Sequence, residues 1–259
     1  MDLFEFLYSL EPRSALAGAL VLSIAIYALA ANIGWAAIAP RGERFGRIVG
    51  WTRRFRLSAA IFELARWLYY IGLPWATLML GYNTMRALGV WNLDWLMNWW
   101  IALIVAIGGG LIFMWVWKPY AQSEHPEAVD LTQWNGAHQI LEAFYQEFHW
   151  AFYRSGPVLW LGDYYWGSFI GLVLNLIEGW SNPTVRSNIR DITRADAPLW
   201  AGSLAIISVL VFYYTQNTWY CIIIHLAINF ILRSLIGLDG SRGLAQRRLL
   251  PTQENTFEE

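Results

Sequence analysis

The 259 residues are 57% hydrophobic and only 14% charged, with 18 Lys+Arg against 19 Asp+Glu, where an ordinary globular chain carries roughly a quarter charged residues. A net charge of −1 argues against broad nucleic-acid binding, and the one cysteine, Cys221, excludes an intramolecular disulfide and a cysteine-built metal cluster. Apolar residues fall in blocks of about 20, the length a helix needs to cross a hydrocarbon core about 30 Å thick, and many of the 17 Trp and 13 Tyr stand near block ends. The pattern predicts an all-α, polytopic transmembrane helix bundle of about seven spans, an integral protein of a bacterial plasma membrane with the lipid bilayer as its first partner.

In chain order, Met1 to Leu7 lacks the positive n-region of a secretory signal, and the apolar stretch after Arg13 is too long for a signal core, so it is expected to remain as a membrane helix. The first span runs from about Ser14 to Ala39 and stops at Pro40. The second, about Leu57 to Tyr82, holds Glu63 and Arg66 three apart on one face, where they pair with each other, and Pro74, which is expected to kink it. The third, Trp95 to Trp117, carries Gly108-Gly109-Gly110, which permits close approach or a bend and is no phosphate loop, since no Lys-Ser/Thr follows. The fourth, Trp134 to Arg154, is too polar for lipid on all sides and belongs inside the bundle. A fifth follows from Val158 to Ile177, with Asp163 near its start and Asn175 near its end. Arg186, Arg190 and Arg194 recur at four-residue spacing after it, on a short surface helix. The sixth is Leu199 to Tyr214 and the seventh Trp219 to Ile236, before a tail, 249–259, expected to be disordered.

Arginines concentrate after spans one and five and in the C-terminal tail, at Arg242, Arg247 and Arg248. Seven crossings put all three segments on one side, which the positive-inside rule makes cytoplasmic, with the N-terminus outside. No linker divides the chain, so residues 1–259 form a single domain.

Ionisable residues in apolar segments are the candidates for function. Residues seven apart on a helix return to nearly the same angle, so Glu142 and His149 share one stripe of span four, and Glu147 and Arg154 share another. In span seven, His225 and Asn229 are four apart and face the same way, with Cys221 on their line. A buried carboxylate beside an imidazole is fit to take a proton from water, and an Asn amide is fit to donate to the oxyanion that follows. The same residues also serve as interhelical glue, and both readings stand. A metal is not expected: His-Glu-x-x-His is absent, and Glu147 and His149, two apart, diverge. No cofactor is expected either, and no Gly-x-Ser-x-Gly elbow offers a serine nucleophile.

His225-Leu226-Ala227-Ile228-Asn229, following Thr218-Trp219-Tyr220-Cys221, resembles the His-x-x-x-Asn motif in a late helix of the CAAX-protease and bacteriocin-processing (CPBP/Abi) family, intramembrane endopeptidases with an earlier Glu-Glu-x-x-x-Arg helix. The resemblance covers roughly 134–236. The family's paired glutamates fall on Gln146 and Glu147, its arginine position on Ala151 with Arg154 three residues later, and its middle histidine on Val173 within Phe169-Ile170-Gly171-Leu172-Val173. The chain thus resembles a divergent member lacking the middle histidine, with His149 as an alternative imidazole. The resemblance implies Glu147 as the general base for water, His225 and Asn229 at the oxyanion, and a membrane-anchored peptide as substrate. Its alternative implication is a catalytically inactive relative that binds a membrane-protein partner as an assembly subunit.

Overall fold

The computed structural model describes residues 3–38, 43–55, 57–91, 95–96, 98–124, 136–192 and 194–231, and all regular structure among them is helical. The helices are α1 (Leu3–Ser9), α2 (Pro12–Ile38), α3 (Glu43–Arg54), α4 (Ser58–Trp67), α5 (Leu73–Met79), α6 (Trp99–Glu124), α7 (Gly136–Leu161), α8 (Tyr164–Ser181), α9 (Pro183–Arg190) and α10 (Asp196–Thr215), followed by α11 (Thr218–Ile231). Pro40, Arg41, Arg242, Arg247, Arg248 and the 249–259 tail lie outside the described residues.

The expected seven-span, plasma-membrane bundle is overturned. Among the described residues only α2, the Trp99–Trp117 part of α6, and Ala197–Thr215 of α10 are long and apolar enough to cross a membrane, and α11 is apolar but shorter. The other expected spans fail for identifiable reasons. The second runs as α4, a π-turn at Leu68–Gly72 and α5 without leaving helical dihedrals, and it carries the charged Glu63 and Arg66. The fourth, α7, buries Glu147, His149 and Arg154, part of an extended polar network through the interior. With three such helices, the alternation that set the N-terminus outside and the C-terminus cytoplasmic loses its basis.

Local chemistry explains the irregularities. Pro74 directly follows the π-turn, and the widened turn makes room for a ring that would clash in a regular α-helix; the expected kink is thus a widened turn. α7 runs through Pro157 to Leu161, beyond the expected end at Arg154. The chain reverses instead at Gly162, whose φ of +65° suits a residue without Cβ, and at Asp163, whose carboxylate accepts from Trp166 N at 2.8 Å and caps α8. Asn182 caps α9 in the same way, accepting from Thr184 N at 2.9 Å, and α9 supplies the short helix expected at Arg186 and Arg190 but ends there, leaving Arg194 outside it.

α7 is the central helix, with every residue from Trp150 to Val158 buried. One apolar cluster joins Trp150 to Phe113 of α6, Val211 and Phe212 of α10, and Ile224 of α11; a second joins Phe152 and Tyr153 to Leu16 and Leu20 of α2. α8 lies directly on α7: a Cβ on Gly171 would come within 2.7 Å of Arg154 Cα and Cγ. Gly109 of the glycine triplet faces Ile207 of α10, where an added Cβ would meet Ile207 Cγ1 at 2.9 Å, and α6 stays continuous there.

Candidate functional site

Two buried polar clusters flank α7, because its two stripes meet different neighbours. On the first stripe Glu147, fully buried, places Oε1 2.9 Å from His225 Nδ1 of α11. Its Oε2 accepts from Ser208 Oγ of α10 at 2.6 Å, and Ser208 Oγ in turn accepts from Arg154 Nη1 at 3.1 Å. Arg154, 1% exposed, holds its guanidinium carbon 4.4 Å from the Phe212 ring centroid, a cation–π contact. Its Nη2 stops 4.0 Å from Glu147 Oε2, too far for a hydrogen bond. Arg154 Nε and Nη2 have no protein partner, a cost of about 1–3 kcal/mol for each buried donor left unmatched.

The α10–α11 turn sets the separation of Ser208 and His225. Gln216 takes a left-handed φ of 50°, and Thr218 Oγ1 donates to Leu88 O at 2.5 Å, fastening the turn to the loop after α5. His225 stacks on Trp150 at 5.6 Å between centroids, with 21° between planes. One turn further along α11, Asn229 Oδ1 accepts from Trp200 Nε1 at 2.7 Å, so its oxygen is committed and Nδ2 is its remaining donor group. Cys221 donates weakly to Ser208 O and Asn217 O, both at 3.5 Å, and burial pushes its thiol up to about 12.

On the second stripe His149 Nε2 lies 3.0 Å from Glu178 Oε2 of α8. Tyr69, set in the π-turn, donates to Glu178 Oε1 at 2.5 Å. Ser23 of α2 joins Tyr69 and Tyr153 through its hydroxyl, at 3.1 Å from each. Burial and then the charge of Glu178 push the Tyr69 hydroxyl far above its ordinary range, which keeps it a proton donor. Further out on this stripe Arg66 clamps Glu142 through Nη2 at 2.5 and 2.7 Å. The pairing expected between Arg66 and Glu63 is the lesser contact, at 3.4 Å with Glu63 half exposed.

Of the residues singled out from sequence, the structure brings Glu147, His225 and Arg154 together, sets Asn229 one turn away, and puts His149 in a separate cluster. Ser208 and Tyr69 were not singled out, and Glu178, the acid that follows span five, was not read as part of a site. Ser208 is a lone hydroxyl in an apolar run, with no spacing to mark it. Glu178 carried a usable signal, as an acid closing an apolar helix whose burial requires a partner. Among the described residues no three His, Cys, Asp or Glu side chains converge to hold a metal ion. No family model, curated protein or solved structure matches this chain, so the likeness to the CAAX-protease and bacteriocin-processing family rests on the quoted motifs alone.

Proposed function

We propose that this chain hydrolyses an amide bond in a peptide, with Glu147 as general base and His225 and Asn229 as oxyanion donors. The observation that carries the reading is the 2.9 Å contact between Glu147 and His225, made by side chains 78 positions apart in sequence and both buried. A carboxylate in this setting takes a proton from water and returns it to the leaving amine. His225 meets Glu147 through Nδ1 and offers its other ring nitrogen to the oxyanion, with the Asn229 amide on the same face of α11. Ser208 and Arg154 hold the carboxylate in place and balance its charge.

One observation favours a second reading, in which the cluster fixes helix packing and the chain serves as a binding or assembly subunit. Both carboxylate oxygens of Glu147 are engaged, while α2 and α6 expose large apolar side chains such as Ile33, Trp35, Leu111 and Trp115, the kind of surface that takes a protein partner.

The test is turnover of quenched-fluorescence peptides, free and lipid-anchored, by the wild type and by Glu147→Gln with its helicity verified. Hydrolysis predicts a loss of about 10²–10⁴-fold in the variant, with wild-type turnover surviving a chelator. Equal rates in the two proteins remove Glu147 from the role. No cleavage by the wild type, with a near-stoichiometric protein partner retained by Glu147→Gln and His225→Gln alike, establishes the assembly reading.

A further inference from the structure

Helix α6 uses one line of residues for its own fold and leaves the opposite line bare. Ala102, Gly109 and Phe113, at helical spacings of seven and four, point the same way, and they meet α10 and the apolar cluster around it. On the far side stand Trp100, Ile104, Ile107, Leu111 and Trp115, each between 54% and 78% exposed. Their spacings of four, three, four and four follow the rhythm that seats a second helix along a seam. No charged residue occurs from Trp99 to Trp117, so whatever lies on the seam is apolar as well.

The seam reads nearly the same from either end. Trp100 and Trp115 close it, Ile104 and Leu111 stand inside them, and Ile107 and Gly108 form the middle, each pair equidistant from the point between 107 and 108. A two-fold axis through that point lays a second α6 antiparallel on the first. Trp100 then faces the second copy's Trp115, and Ile104 faces the second copy's Leu111, the reciprocal pairing that a two-fold contact requires. Ile107 faces the second copy's Gly108, where an added Cβ finds nothing within 4 Å in its own chain. The isoleucine is a knob and the absent side chain is its hole. With a full tryptophan surface taken as about 200 Å², the five side chains expose about 500 Å². A symmetric pair then covers about 1,000 Å², the size at which an interface becomes specific.

We propose that a second copy of this chain covers this face, as an antiparallel α6–α6 pair centred on Ile107 and Gly108. It rests on the assembly reading in taking the bare face of α6 as a protein contact, and it names the partner. Glu147 and His225 take no part in it, so it is independent of hydrolysis.

Sedimentation equilibrium of the full chain is paired with thiol cross-linking in a Cys221→Ala background. The wild type is expected to sediment as a dimer. Gly108→Leu fills the hole from a position with open space in its own chain, and Leu111→Lys puts a charge on the seam; each is expected to weaken association tenfold or more with the helical signal intact. Gly108→Cys, next to the axis, should cross-link copy to copy through a short bifunctional thiol reagent. Trp100→Cys alone should not, because antiparallel pairing sets the two positions about 22 Å apart along the helix, whereas a mixture of Trp100→Cys and Trp115→Cys chains should. A monomer at every concentration, association indifferent to both Gly108→Leu and Leu111→Lys, or cross-links from Trp100→Cys alone overturns the pairing. A monomer that holds a different protein on α6 overturns it too, and leaves the assembly reading standing.

Discussion

Removing the Glu147 carboxylate strands a guanidinium in the interior. Arg154 is 1% exposed, and the opposite charge facing it is Glu147, at 4.0 Å; Ser208 Oγ and His225 Nδ1 lose their acceptor in the same step. Breaking a buried ion pair from one side costs about 3–5 kcal/mol, which at roughly 2–4 °C per kcal/mol is a drop in Tm of roughly 6–20 °C for Glu147→Ala. Removing both charges, as Glu147→Leu with Arg154→Met, leaves no uncompensated ion and is expected to cost less than the single change. Denaturation followed by tryptophan fluorescence measures both, and the double-mutant cycle isolates the coupling. A loss under about 1 kcal/mol in Glu147→Ala, or strict additivity in the double variant, would refute the claim that the two side chains form one electrostatic unit.

Tyr69→Phe deletes the donor to Glu178 and is expected to cost about 1.5–3 kcal/mol, the range for a hydrogen bond to a charged group; an unchanged denaturation midpoint would count against the second cluster as a source of stability. Cys221, buried and with its thiol pushed up to about 12, should resist maleimide in the native protein at pH 8 and react once unfolded, and rapid native labelling seen by mass spectrometry contradicts its placement. Glu11 accepts from Ser14 Oγ and N, both at 2.6 Å, and from Arg13 N at 3.1 Å at the start of α2. The Ser14 side-chain hydrogen bond leads in lowering its carboxyl below the ordinary value. A depressed folded-state value makes its contribution present above the unfolded value and lost as pH falls through the folded one. NMR titration should therefore place Glu11 below the ordinary glutamate value, and Ser14→Ala should raise it.

What the sequence could show of the site was angular. Seven-residue spacing put Glu147 with Arg154 and Glu142 with His149, because a helix returns to nearly the same angle after two turns, and the two pairs do meet different neighbours. Spacing within one helix is silent on what stands opposite, so Ser208 and Tyr69, supplied by other helices, were illegible. The reversal at Gly162-Asp163 was readable as a positive-φ glycine before an N-cap acid, yet the span was ended at Arg154, although α7 continues through Pro157 to Leu161. Hydrophobic block length misjudged the membrane count for a related reason: length does not register a π-turn, nor an interior that buries Arg154 and Glu178 beside their partners.

The π-turn at Leu68–Gly72 holds one residue more than the α-helical turn it replaces. Removing a residue there would restore an unbroken helix and rotate α5 about 100° relative to α4. Arg66, clamped on Glu142, and Thr77, buried further along, would then no longer serve their present neighbours together. The turn works as a one-residue insertion absorbed inside a helix, and it sets Tyr69 against Glu178 and His149. A one-residue change of length within 68–72 would therefore cost the tyrosine its place in the cluster, whereas the same change in a loop would leave it there.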